Sequence, residues 1–198
     1  MKVVKLRVVY MHVMFLLLVF SISILYYMYP VLRKYVDNDL SAKELLIILS
    51  ALFSVSIIGL ILIDKFTALP QHSSGNGNLA LVVIFPLLPV LFSLGGFLSI
   101  SSHRYFAQKS NLICFVTLSG MLLLLISIIN KQINFYNSLL TVLQEFDRPI
   151  STDTLLISID QYTNTMFFNQ YTFAMWIILS IIIGAIVSRL KNKGNVSC

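Results

Sequence analysis

The side chains able to do chemistry are few and scattered. His12, His72 and His103 are the three histidines, and they fall in three different stretches of the chain. A zinc or other transition-metal site gathers three or four nitrogen, sulfur or oxygen ligands, usually with a short-range pair among them. No such pair surrounds any of these histidines. Cys114 sits inside an apolar block and Cys198 is at the tail, without CxxC or Cys/His spacing, so neither a disulfide between them nor a metal is expected. Proton-coupled transport, voltage sensing and intramembrane proteolysis place ionisable residues within spans. The apolar blocks here carry almost none. Asp64 and Lys65 stand together at the end of one block, where they can pair or face water. The expectation is a non-enzymatic protein with no cofactor and no metal.

The surrounding sequence explains this poverty. Of 198 residues, 58% are hydrophobic and 11% charged, whereas a soluble domain carries about 25% charged residues. The apolar residues form five long blocks, at about residues 8–29, 45–63, 79–100, 112–129 and 171–188. Each approaches the roughly 20 residues that a helix needs to cross about 30 Å of hydrocarbon. A helix satisfies its own backbone in lipid, so the expected fold is all-α: a single polytopic transmembrane helix bundle. The net charge of +6 resides mainly at block ends, where it anchors and orients spans; direct nucleic-acid binding is not expected. The first block follows Lys2, Lys5 and Arg7 but is too long for a signal-peptide core and lacks a small-residue cleavage pattern, so it reads as an uncleaved span.

The third block contains Pro86, Pro89, Gly95 and Gly96. Interior prolines remove helical hydrogen bonds and clash with the preceding turn, so this block is expected to be kinked or re-entrant, and these four residues form a candidate hinge. Four full spans then place both basic tails in the cytoplasm. Lys2, Lys5, Arg7, Lys65, Arg104, Lys109, Arg189, Lys191 and Lys193 lie inside, against Arg33, Lys34, Lys43, Lys131 and Arg148 outside. Five true spans divide the charges more evenly. Either arrangement has a cytoplasmic C-terminus, and the composition suits a bacterial inner membrane.

Both arrangements leave residues 131–170 outside as a small helical extracytoplasmic cap. Phe135, Leu139, Val142, Leu143 and Phe146 repeat at helical spacing, which predicts that the fourth helix continues past the membrane. Asp147-Arg148-Pro149 breaks it, and Ser151 to Asp153 offers N-caps for a second helix. The acids of this cap, Glu145, Asp147, Asp153 and Asp160, are candidate outer recognition residues. Ser180, Gly184 and Ser188 make a small-xxx-small face for close helix packing, within the chain or between copies in a homo-oligomer. Ser50/Ser54 and Gly95/Ser99 repeat the spacing. Arg189, Lys191 and Lys193 form a basic tail that anchors the chain or docks a cytoplasmic protein. Membrane lipids, further copies of the chain and a cytoplasmic protein are the expected partners.

This size, this span count and the absence of catalytic groups from Met1 to Cys198 resemble the membrane subunit of the Kiwa anti-phage defence system. The resemblance lies in architecture across the whole chain. It implies an inner-membrane sensor of phage attack that works with a cytoplasmic DNA-binding subunit. The immunity proteins against pore-forming colicins are similar in the same respects and imply recognition of a toxin within the bilayer. A homo-oligomeric pore is the third expectation.

Overall fold

The computed structural model describes residues 19, 21–23, 26, 30–31, 33, 41–69, 78–146 and 162–194, with the backbone alone at Ala42 and residues 191–194. Local sequence sets the helix starts. Ser41 opens α1 (Ala42–Phe66): its hydroxyl accepts the Glu44 amide at 3.3 Å, and the Glu44 carboxylate accepts the Ser41 amide at 2.8 Å. This capping box satisfies two amides that a helix start otherwise leaves bare. Ala80 precedes α2 (Leu81–Ala107) without a side-chain cap. Ser110 caps α3 (Asn111–Glu145) by accepting the Ile113 amide. A single turn, α4 (Asn164–Phe167), leads into α5 (Gln170–Gly194).

Asn169 caps α5. Its side-chain oxygen accepts the amides of Tyr171 and Thr172 at 2.8 and 3.0 Å, and the Thr172 hydroxyl accepts the Asn169 amide at 3.0 Å. The described residues contain no strand. Four of their helical segments, Lys43–Phe66, Leu81–Ala107, Asn111–Glu145 and Asn164–Leu190, are long and apolar enough to cross a membrane. The chain is therefore an all-α, multi-pass membrane protein.

The third apolar block corrects one expectation. It is not broken into a re-entrant loop; α2 runs for 27 residues through both prolines. Pro89 has no amide to give the Phe85 carbonyl, four residues back, and that carbonyl instead accepts the Ser21 hydroxyl at 2.7 Å. A serine on a neighbouring helix is one of the devices by which lipid-embedded helices tolerate proline. Most of block 8–29 lies outside the described residues, but Val19, Ser21 to Ser23 and Tyr26 are helical. The Ser21 bond places this stretch against α2.

The helices alternate in direction, and α2 and α5 are the central pair. Buried residues make up 44% and 39% of their apolar windows, against 22% in α1 and 6% in α3. α1 packs on α2, and α3 packs on α5. The core has three centres along the bundle. Ile63, Ala80, Ile84 and Leu87 fill the end where α2 starts; Leu52, Leu94 and Phe97 fill the middle; Phe106, Cys114 and Ala185 fill the end where α3 starts. The 35 residues of α3 extend roughly 52 Å, about 20 Å more than the hydrocarbon thickness. That length is enough for its last third, on the side of the α4 turn, to extend past the hydrocarbon.

Candidate functional site

Close packing of the central pair is set by small residues. Ser180, Gly184 and Ser188 are all buried against the rest of the chain. A Cβ on Gly184 would lie 2.0 Å from the Ser99 carbonyl oxygen of α2 and 2.9 Å from Ser102 Cβ. The Ser102 hydroxyl crosses to donate to the Ile181 carbonyl at 2.7 Å. This face joins two helices of one chain, the first of the two uses that its spacing allowed.

Gly95 belongs to the same seam. The Trp176 indole lies over it, its Nε1 2.9 Å from where a Cβ would be, and donates to the Leu91 carbonyl at 2.9 Å. Pro86, Pro89 and Gly96 lie in the same unbroken helix. Ser50 and Ser54 are exposed, whereas α1 turns Leu52, Ser56, Gly59 and Ile63 inward. Gly59 is the close approach there, with Leu87 at 2.7 Å from its Cβ position.

The end of the bundle at the α2–α3 turn is clasped by Arg189. Its guanidinium donates to the carbonyls of Phe106 and Lys109, at 3.1 and 2.7 Å, and to Asn111 Oδ1 at 2.9 Å. It also reaches Cys114 Sγ. The Phe106 and Lys109 carbonyls stand at the C-terminal end of α2, where the helix dipole is negative and a cation is favoured. Arg189 is thus half-buried and bonded to its own chain. The side chains of Lys191 and Lys193 lie outside the described residues.

At the opposite end, polar side chains tie the connections together. Asn78 and Asn164 exchange two amide hydrogen bonds, at 2.9 and 2.8 Å, and Asn164 is fully buried. Gln132 of α3 donates to the Met166 carbonyl at 2.8 Å. Beside this lattice runs a groove of about 540 Å³, with Phe53, Ile57 and Asp64 of α1 on one wall and Phe135 of α3 and Tyr171 and Phe173 of α5 on the other. Phe53 pairs across it with Phe173 at 5.4 Å between centroids, and Phe135 pairs with Tyr171 within the far wall at 6.1 Å. Among the described residues α1 does not pack along α3, so the groove occupies the gap between them.

Asp64, read from sequence as a partner of Lys65 or a solvated group, forms part of this wall. The groove itself had no local signal, since its residues come from positions 53 to 173. The polar run Asn169 to Thr172 before an apolar block was a legible N-cap. Of the four expected recognition acids, Glu145 is exposed at the end of α3, while Asp147, Asp153 and Asp160 lie outside the described residues, as do His12, His72 and Cys198. No three His, Cys, Asp or Glu side chains come together among the described residues.

These features define a multi-pass helical membrane protein with a bulky-ring groove at one end and an arginine clasp at the other. Compared with protein-family models, curated proteins and solved structures, the chain has no match in any of the three.

Proposed function

We propose that the chain is a non-enzymatic membrane sensor and scaffold, which registers an event at the cell envelope and relays it to a cytoplasmic effector. In this reading it sits in a bacterial inner membrane with a cytoplasmic C-terminus. The trigger is phage attack or a comparable disturbance of the bilayer. One observation carries the proposal. The ligand-sized groove and the Arg189 clasp lie at opposite ends of the same helix, α5, which packs along its length on α2. A signal requires two states of different stability in which the input favours one. A continuous pair of helices closed by small residues can pass a small shift from the groove end to the clasp and the basic tail beyond it.

The test is affinity purification of the tagged full chain from its native host in mild detergent, with mass spectrometry and native mass determination. The expected result is a soluble protein at fixed stoichiometry, lost when Lys191 and Lys193 are changed together to Ala. A chain that purifies alone, or as a homo-oligomer conducting ions in planar bilayers, overturns the reading and favours a pore. Protection against a single toxin by the chain expressed alone favours an immunity protein.

A further inference from the structure

We infer that the groove bounded by α1, α3 and α5 binds one zwitterionic phospholipid, with the ammonium of its headgroup at Asp64 and an acyl chain along Ile57 and Phe53. Length comes first. Phe53 and Asp64 bound the groove on α1 and lie eleven residues apart, about 16 Å along a helix. That is about half of the roughly 30 Å hydrocarbon thickness, so the groove has the depth of a single leaflet. Its volume of about 540 Å³ falls within the range of about 300–1,000 Å³ typical of small-ligand sites. The wall is mostly ring and aliphatic surface, to which a soluble cation owes nothing and an acyl chain conforms.

Charge then selects the headgroup. Asp64 lies in the last turn of α1, where the helix dipole is already negative, so the carboxylate and the helix end favour the same cation. Aromatic rings at the rim add attraction for an ammonium group. The opposite rim is the first turn of α5, Gln170 and Tyr171, where the dipole has the other sign. Asn169 already takes the Tyr171 and Thr172 amides, so the helix dipole is the counterpart offered to the headgroup phosphate, and Asp64 is the group that selects the ammonium. An anionic lipid would bring only negative charge to Asp64. The inference rests on the sensor reading for its use alone: a change in occupancy of this groove is the envelope event that the sensor registers.

The experiment places the full chain in nanodiscs of equal phosphatidylethanolamine and phosphatidylglycerol, then counts retained lipids by native mass spectrometry after detergent extraction. One phosphatidylethanolamine per chain is expected. Asp64→Asn should lower its preference over phosphatidylglycerol about tenfold, the scale of one charge contact near 1.4 kcal/mol. Ile57→Trp should remove retention of both lipids, while Ser54→Trp, an exposed position outside the groove, should retain them. Equal retention of the two lipids by the wild type overturns the inference, as does an Asp64→Asn variant with unchanged preference. If Ile57→Trp fails to fold, Asp64→Asn decides the matter alone. Partner capture without lipid preference sinks the lipid site and leaves the sensor reading; lipid preference without a partner does the reverse.

Discussion

Gly184 and Gly120 both sit in the interior of apolar helices, yet they face opposite circumstances. A Cβ at Gly184 strikes the Ser99 carbonyl, which cannot rotate away, whereas a Cβ at Gly120 meets nothing within 4 Å. Gly184→Ala should therefore force α2 and α5 apart and destabilise the bundle by about 3 kcal/mol. Gly120→Ala should stabilise it by roughly 0.5–1 kcal/mol through helix propensity. Thermal unfolding of both variants in one detergent checks the contrast. The Ser21 bond to the Phe85 carbonyl makes a second claim. Ser21→Ala should cost about 1 kcal/mol, and almost nothing in a Pro89→Ala background, where residue 89 regains an amide for that carbonyl. A double-mutant cycle without coupling would sink this account.

At the scale of elements, α2 and α3 are held in register by a side chain from α5. Arg189 bonds two carbonyls and an amide oxygen with a planar fork, a geometry that a lysine ammonium does not reproduce. Arg189→Lys should keep the charge yet lower stability by roughly 1–2 kcal/mol. Hydrogen exchange should then rise first in the Phe106–Ile113 turn and leave the Asn78–Asn164 end protected. Equal loss of protection at both ends would mean that the arginine supports the whole bundle rather than one turn. The helical spacing of Phe135, Leu139, Val142, Leu143 and Phe146 is the sequence signature of the long exit of α3. The capping box Ser41 to Glu44 and the cap at Asn169 are equally local signals. Each depends on residues within one helical turn, and so each can be read without knowing the neighbours.

For the molecule as a whole, α3 fixes which ends share a side. Ser110 and Glu145 are exposed at its two ends, separated by more than the hydrocarbon thickness. With a cytoplasmic C-terminus, Glu145→Cys in a Cys198→Ser background should react with an impermeant maleimide in intact spheroplasts. Ser110→Cys in the same background should react only after lysis. The reverse pattern would invert the bundle and place the groove on the cytoplasmic side.

Sequence alone determined that the chain enters a membrane as helices. Transfer of an apolar stretch into lipid is nearly a sum over its own residues, and backbone satisfaction in lipid admits few other forms. It also marked the small-residue face of α5, because spacing by four survives into any helix. The tertiary structure decided what each face meets. Ser50 and Ser54 share the spacing of Ser180 and Gly184 but face outward, and Arg189, from a tail that reads as an anchor or a docking segment, bonds to the α2–α3 turn of its own chain. Two prolines that predict a break are carried through α2, with one freed carbonyl bound by a serine more than sixty residues away. Lipid is about as apolar as the side chains, so hydrophobicity does not say which helix lies beside which. Shape and a few polar contacts settle that order, and the order alone brings Phe53, Asp64, Phe135 and Tyr171 to one groove.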